Sequence, residues 1–302
     1  MTRVLIADRT HEVLEQKLRE AGMEVVVEPD HDYESLIAAA QGCDGLVVRS
    51  KVIVDKAFID RVPSLRCIGR VGAGMETIDV DYAGRKGIRC LNSPEGNRDA
   101  VGEHTVGLLL ALLDNIARAD AEVRQGLWRR EANRGYELGP LTVGIVGFGN
   151  MGQAFAKRLS GFGCRVMAYD KYHPANATLE ELQREADVVS FHVPLTDETH
   201  HYLDAAFIEA MRKPFFLLNT SRGAVVDTGA LAAGLESGKV RGAALDVLEY
   251  ENMQADAMDF ATLNSQLSPF NCVFTPHVAG WTVESKYKLA AVLADKIIDA
   301  LK

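Results

Sequence analysis

The sequence lacks the features of several classes of protein. It contains no apolar run of the ~18 residues that a membrane-spanning helix needs. No two cysteines are spaced as CxxC, the pattern typical of zinc and redox sites. The formal net charge of -9 means that the chain also lacks the basic excess on which nucleic-acid binding depends. We therefore expect no membrane, no metal and no nucleic acid among its partners.

The cysteines are scattered, and most lie in apolar stretches where a thiol behaves as a small hydrophobic group. They are Cys43, Cys67, Cys90, Cys164 and Cys272. This usage favours a reducing compartment, and Met1 to Asp8 resembles a short strand more than a signal peptide, so we expect a cytoplasmic protein. A chain of 302 residues, 47% apolar and 25% charged, suits a globular protein of about two domains.

The strongest positive signal is a glycine-rich turn, spaced as GxGxxG, that joins the apolar strand Val143 to Val146 to a helix. Gly147 permits a tight turn, Gly149 lets the backbone approach a pyrophosphate, and Gly152 lets the helix pack closely on its strand. A second apolar strand ends in Asp170, 18 residues after Gly152. Because a ribose-binding acid is expected about 20 residues after such a turn, this unit predicts a dinucleotide-binding domain.

Two series of short apolar strands alternate with amphipathic helices, which is typical of parallel sheets. The first series is Val4 to Ala7, Glu24 to Val27, Gly45 to Val48, Cys67 to Arg70 and Arg89 to Asn92. The second is Val143 to Val146, Arg165 to Tyr169, Val188 to His192, Phe216 to Asn219, Gly242 to Leu245 and Val273 to Thr275. Between them, a turn at Ser93 to Asn97 precedes one long predicted helix, Arg98 to Gln125.

These patterns predict two doubly wound α/β domains. The first comprises residues 1–95 and 283–302, because the amphipathic helix Val283 to Lys302 is too short to form a core of its own. The second comprises residues 96–282 and contains the glycine-rich turn.

Three segments follow strands of the second domain, at the carboxyl ends where open α/β sheets bind ligands. They are Asn219 to Gly223, Ala244 to Glu251 and Thr275 to Trp281. Arg222 can bind a 2-oxoacid carboxylate, His277 can transfer a proton to the carbonyl oxygen, and a carboxylate can keep the imidazole charged. Such a set suits hydride transfer. His200 and His201, by contrast, are expected to be solvated.

Together these motifs resemble those of the D-2-hydroxyacid dehydrogenases, NAD-dependent enzymes of two domains. The resemblance covers nearly the whole chain and implies a Rossmann nucleotide-binding domain inserted in a flavodoxin-like substrate domain. It implies that Arg222 is the catalytic arginine, His277 the histidine and Glu251 the glutamate. Glu249 is the alternative glutamate.

The chain departs from the family pattern at two points. Asn150 stands where the glycine turn usually carries arginine or histidine, and Asn252 stands where a proline commonly follows the catalytic glutamate. The segment from Asn252 to His277 is also several residues longer than usual.

The resemblance further implies NAD as cofactor, a small anionic 2-hydroxyacid or 2-oxoacid as substrate, and a homodimer paired through the nucleotide domain. The implied cofactor-binding residues are Gly147, Gly149, Asn150, Met151, Gly152, Asp170, His192, Val193, Pro194, Thr220, Ser221, Asp246 and Gly280. The implied substrate-binding residues are Arg49, Arg70, Gly72, Ala73, Gly74 and Arg130 of the partner subunit.

Within the family, the resemblance is strongest to enzymes that oxidise 3-phosphoglycerate for serine synthesis. Val48 to Ser50, Gly69 to Gly74 and Gly126 to Arg130 carry it, and Arg49 and Arg70 would bind the substrate phosphate. We expect no regulatory domain of the kind that responds to serine. The alternatives are a reductase for glyoxylate, hydroxypyruvate or another D-2-hydroxyacid and, from a different class, an NAD-sensing corepressor of the same fold.

Overall fold

A computed structural model describes residues 1–49, 51–251, 266–268 and 270–302. The chain divides into two compact units. The first contains Met1–Arg98 and Trp281–Lys302, and the second contains Asp99–Gly280.

The first unit is built on five parallel strands in the order β2-β1-β3-β4-β5. The strands are β1 (Arg3–Ile6), β2 (Glu24–Val27), β3 (Gly45–Val48), β4 (Cys67–Arg70) and β5 (Arg89–Asn92). The helices are α1 (Val13–Glu20), α2 (Tyr33–Ala40), α3 (Lys56–Arg61), α4 (Val80–Arg85) and, at the end of the chain, α11 (Val283–Leu301). This strand order is that of flavodoxin-like domains.

Burial on both faces of the sheet explains the apolar strands of the first unit. All four residues of β3 are buried, and one hydrophobic cluster lies on each side of the sheet. On one side Leu293 and Ile297 of α11 pack with Val4 and Ile6 of β1. The C-terminal helix therefore contributes part of the core of this unit.

The second unit is built on six parallel strands in the order β11-β10-β9-β8-β6-β7. The strands are β6 (Thr142–Val146), β7 (Arg165–Tyr169), β8 (Val188–Phe191), β9 (Phe215–Asn219), β10 (Val240–Leu245) and β11 (Cys272–Phe274). The helices are α5 (Arg98–Leu113), α6 (Ile116–Arg124), α7 (Asn150–Leu159), α8 (Leu179–Glu185), α9 (Ala205–Ala210) and α10 (Thr228–Glu236). The prediction of two parallel α/β sheets is confirmed.

One predicted element is wrong. The single helix expected from Arg98 to Gln125 is two helices, α5 and α6, bent by 61°. Asn115, between them, has a left-handed backbone with φ of 54°. A left-handed residue cannot continue a right-handed helix, and asparagine tolerates this conformation better than most residues.

Among the residues that the structure describes, no single helix is long and apolar enough to cross a membrane. Only α5 and α6, taken together as one bent pair, have the length and apolar composition of a membrane span. The leucines at the end of α5 are buried in the core of the second unit; they are Leu108, Leu109, Leu112 and Leu113.

Candidate active site

The predicted cofactor residues of the second unit follow the carboxyl ends of adjacent strands. The glycine turn follows β6, Asp170 follows β7, and His192 follows β8. Thr220 and Ser221 follow β9, and Asp246 follows β10. The strand order reverses between β6 and β8, so the glycine turn lies at the point where sheets of this kind bind ligands.

Of the three glycines in the turn, only Gly149 faces open space. A Cβ on Gly147 would lie 2.6 Å from the carbonyl oxygen of His192, and one on Gly152 would lie 2.1 Å from that of Gly147. A Cβ on Gly149 would meet nothing closer than His173 Nε2 at 4.0 Å. Gly149 is the N-cap of α7 and makes no side-chain cap bond. These residues fit the pyrophosphate of a dinucleotide, which favours open backbone N–H groups at a helix start.

The Asp170 carboxylate is fixed by backbone N–H groups of the glycine turn and of the residues that follow it. Its Oδ2 accepts a hydrogen bond from Phe148 N at 2.6 Å, and its Oδ1 accepts from Tyr172 N and His173 N at 2.8 and 2.9 Å. Burial raises the pKa of the Asp170 carboxyl, but these three N–H groups outweigh it and hold the pKa below its ordinary value of 3.8. The carboxylate is therefore charged and oriented at neutral pH.

The lysine beside this acid is also engaged. Lys171 Nζ donates to both carboxylate oxygens of Glu198, at 2.9 and 2.8 Å, and Tyr172 Oη donates to Glu198 Oε2 at 2.8 Å. All three side chains are exposed. An exposed ion pair contributes little to stability. Here, however, the Glu198 carboxylate offsets the positive charge of Lys171, the residue next to Asp170.

His192 is held as a neutral ring. Its Nε2 lies 2.8 Å from Ser190 Oγ, and its ring centroid lies 5.4 Å from that of Phe155. Burial lowers the pKa of His192 to about 3. The ring is therefore uncharged at neutral pH, which suits a cofactor-binding residue beside an apolar ring.

The loop that carries Arg222 is organised by a buried asparagine. Asn219 Oδ1 accepts from Ser221 N and Ser221 Oγ at 3.0 and 2.7 Å, and Asn219 Nδ2 donates to Arg222 O at 2.9 Å. A Cβ on Gly223 would lie 1.9 Å from Leu248 O. The absence of a side chain at Gly223 therefore lets this loop pack directly on the loop that leads to Glu251.

The structure brings Glu251 and His277 together. His277 Nδ1 lies 2.8 Å from Glu251 Oε1, while Glu251 Oε2 accepts from Leu248 N at 3.2 Å. The alternative, Glu249, points to a different histidine, because His201 Nε2 lies 2.6 Å from Glu249 Oε1. Glu249 Oε2 accepts from Thr228 N at 2.9 Å. Glu251 is therefore the partner of His277, and the expectation that His201 is merely solvated is wrong.

Asp246 anchors the loop that carries His277. It is 1% exposed. Its Oδ1 accepts from Thr275 Oγ1 at 2.6 Å and Val278 N at 2.9 Å, and its Oδ2 accepts from Ala279 N at 2.9 Å. The structure thus gives Asp246 a positioning role within the chain, in addition to the cofactor contact that the sequence predicts.

Sequence reasoning missed His104 of α5. Its Nε2 lies 3.1 Å from Thr275 Oγ1 and 3.5 Å from Asp246 Oδ1. Burial raises the pKa of the Asp246 carboxyl, but the contacts from His104, Thr275 and two backbone N–H groups hold it below its ordinary value. The available signal was an imidazole in a helix that continues into a run of leucines.

The predicted substrate arginines of the first unit lie at the ends of neighbouring strands. Arg49 directly follows β3 and Arg70 ends β4, and Val48 pairs with Arg70 in the register of the two strands. The guanidinium carbon of Arg49 lies 4.7 Å from the ring centroid of Trp281. Gly72, with φ of 151°, makes room for Arg70, because a Cβ there would lie 2.1 Å from Arg70 Nη1.

The other predicted residues are half-buried or exposed. Ala73 and Gly74 follow Gly72 and are half-buried, while Arg130, in the second unit, is exposed. Val193 is half-buried and Pro194 exposed after β8, and Gly280 ends the second unit. Ser50 and Asn252, which figure in the sequence motifs, lie outside the described residues.

Comparison with known proteins identifies the family. Residues 106–279 match the family model of the D-isomer specific 2-hydroxyacid dehydrogenase, NAD binding domain. The D-3-phosphoglycerate dehydrogenase of Methanocaldococcus jannaschii is 35% identical over 312 residues, covering 100% of this chain and 58% of that protein. The chain thus spans little more than half the length of this relative.

Two further comparisons cover both partners almost completely. The hydroxypyruvate reductase of Thermotoga maritima is 36% identical over 285 residues, or 92% of each chain. The crystal structure of D-lactate dehydrogenase from Aquifex aeolicus, complexed with NAD and lactic acid, superposes with a TM-score of 0.83 at 26% identity. It covers 98% of this chain and 94% of that one.

The chain belongs to the D-isomer specific 2-hydroxyacid dehydrogenase family, a family of NAD-dependent oxidoreductases. The second unit carries the NAD-binding domain of that family. The predictions of the family, of its enzyme class and of NAD as cofactor are confirmed.

Proposed function

We propose that this chain oxidises 3-phospho-D-glycerate to 3-phosphooxypyruvate, the reaction that opens the phosphorylated route to serine. The observation that carries the proposal is the pair of arginines, Arg49 and Arg70, at the ends of adjacent strands in an otherwise acidic protein. Arginine forks suit phosphate oxygens. The name of the Methanocaldococcus jannaschii relative agrees with this choice.

Residues of the second unit carry out the chemistry at carbon 2 of the substrate. Arg222 binds the substrate carboxylate with its planar guanidinium. His277 takes the hydroxyl proton at Nε2, because its Nδ1 faces Glu251 at 2.8 Å. The Glu251 carboxylate then stabilises the imidazolium that forms. The glycine turn and Asp170 would hold NAD, which would supply the acceptor for the hydride that leaves carbon 2.

A homodimer forms part of the proposal. In α6 and the segment after it, Ile116 and Val123 are each 52% exposed and Trp128 is 78% exposed. Large exposed apolar side chains that cluster in sequence are typical of interfaces. A second chain that covers them would also bring Arg130 of the partner subunit to its proposed role with the substrate.

The second candidate is a hydroxypyruvate reductase. The Thermotoga maritima relative carries that name and aligns over 92% of both chains. This activity uses the same Arg222, Glu251 and His277 but gives Arg49 and Arg70 no phosphate to bind.

Steady-state kinetics with NAD on 3-phospho-D-glycerate, D-glycerate and D-lactate test the proposal. Loss of one charge-assisted phosphate contact costs about 1.5–3 kcal/mol, or about tenfold to a hundredfold in affinity. Arg49→Ala or Arg70→Ala should therefore raise KM for 3-phosphoglycerate by that factor and leave D-glycerate nearly unaffected. Arg222→Ala is the matched control, because it should impair every substrate. An equal loss for both substrates in Arg49→Ala would show that the substrate assignment is wrong.

A further inference from the structure

We propose that Trp281 is a positioning residue that holds the Arg49 guanidinium ready for a phosphate monoester. It thereby sets the preference for phosphorylated over unphosphorylated hydroxyacids. The inference rests on the proposed function, since Arg49 is there assigned to the substrate phosphate.

Trp281 is unusually exposed for a tryptophan. The side chain is 66% exposed, whereas tryptophan is highly buried on average because its indole is large and apolar. Trp281 begins the last segment of the first unit, two residues before α11. Packing in a core therefore does not account for an indole at this position.

Trp281 contacts Arg49. The guanidinium carbon lies 4.7 Å from the ring centroid, within the ~6 Å over which a cation and an aromatic face attract. A guanidinium carries five N–H donors, so contact of its carbon with the ring leaves donors for the two parallel hydrogen bonds that phosphate oxygens accept.

The other contacts of Arg49 fix its backbone more firmly than its side chain. Arg49 N donates to Oδ2 of the buried Asp8 at 3.2 Å. The guanidinium itself makes a long, exposed bond, from Nη1 to Arg9 O at 3.4 Å. An arginine side chain loses much rotamer freedom when it is fixed. The indole reduces that loss on binding, because it restricts the guanidinium beforehand.

Arg70, on the neighbouring strand, depends on the absence of a side chain at Gly72. Its guanidinium lies over Gly72, where a Cβ would be 2.1 Å from Nη1. Gly72 thus leaves the space that the Arg70 guanidinium occupies, which a residue with a side chain would not.

The kinetic test compares Trp281→Leu with Trp281→Phe. Loss of an exposed cation–π contact corresponds to about a two- to fivefold loss in affinity. Trp281→Leu should raise KM for 3-phosphoglycerate by that factor with kcat little changed, and leave kcat/KM for D-glycerate near the wild-type value. Trp281→Phe, which keeps an aromatic face, should recover most of the loss. Tyr287→Leu is the matched control, because Tyr287 is an exposed aromatic of α11 that contacts His11.

An equal rise of KM for both substrates, or no rise for 3-phosphoglycerate, would overturn the inference. So would Trp281→Phe behaving like Trp281→Leu. A fall in kcat with KM unchanged would also overturn the inference, because a residue that positions the phosphate-binding arginine acts on substrate binding.

A binding test separates this inference from the proposed function. The chain has two tryptophans, so Trp128→Phe leaves Trp281 as the sole indole reporter. Titration with inorganic phosphate should change its fluorescence in a saturable way, and the change should vanish when Arg49→Met is added. A titration without such a change would contradict the inference. Failure of the wild-type enzyme to oxidise 3-phosphoglycerate would instead refute the proposed function.

Discussion

Replacing Glu251 with glutamine should slow turnover about tenfold with little effect on KM. The glutamine can still accept a hydrogen bond from His277 Nδ1, which now lies 2.8 Å from Glu251 Oε1. It cannot supply the charge that stabilises the imidazolium. A charge-assisted bond contributes about 1.5–3 kcal/mol and a neutral one about 0.5–1.5 kcal/mol. The difference, about 1–1.5 kcal/mol, corresponds to about a tenfold loss in kcat.

Glu249→Gln is the matched control, because the same change is made two residues away. Glu249 contacts His201 and Thr228 N and not His277, so its loss should reduce stability and leave kcat within about twofold of wild type. The assay is initial-rate formation of NADH at saturating substrate, with urea unfolding measured in parallel. If Glu249→Gln slows turnover more than Glu251→Gln does, the assignment of Glu251 is wrong.

Three further predictions concern the cofactor, acid stability and assembly. Asp170→Ala should reduce the preference for NAD over NADP by about tenfold or more in kcat/KM, since a charged acceptor for the ribose hydroxyls is lost; full discrimination in the variant would contradict this. Because the pKa of Asp246 is lowered in the folded state, its stabilisation is present above the ordinary value of 3.8 and is lost as pH falls below it. Urea midpoints measured from pH 6 to about 3 should thus fall more steeply in the wild type than in Asp246→Asn, and parallel curves would refute the linkage. Light scattering at micromolar concentration should give twice the 33.0 kDa of the chain, and Trp128→Asp should shift the protein toward a monomer; a wild-type monomer would exclude the dimer.

The sequence predicts the fold well because strands buried on both faces leave continuous apolar runs. Gly45–Val48, in which all four residues are buried, has the predicted bounds. The break between α5 and α6 was not predictable in the same way, since only Asp114 and Asn115 interrupt the apolar pattern before Ile116. The break depends on the backbone conformation of Asn115, which periodicity does not report.

The placement of candidate site residues is predictable where residues of different chemistry follow different strands, as Arg222 and His277 do. It is not predictable where the choice lies between identical groups. Glu249 and Glu251 differ only in which histidine each contacts, and those histidines stand 48 and 26 positions away. His104 was missed for a similar reason, because its partners come from the other end of the second unit.

The backbone of His277 has a consequence for engineering. Its φ of 55° is left-handed, a conformation that costs an L-residue ~1–2 kcal/mol and is easy for glycine. A library screened for folding alone would therefore be expected to drift away from histidine at this position. Under the proposed function, only a screen that also demands turnover would retain it. Selection for thermal stability and selection for activity would then oppose each other at a single backbone torsion.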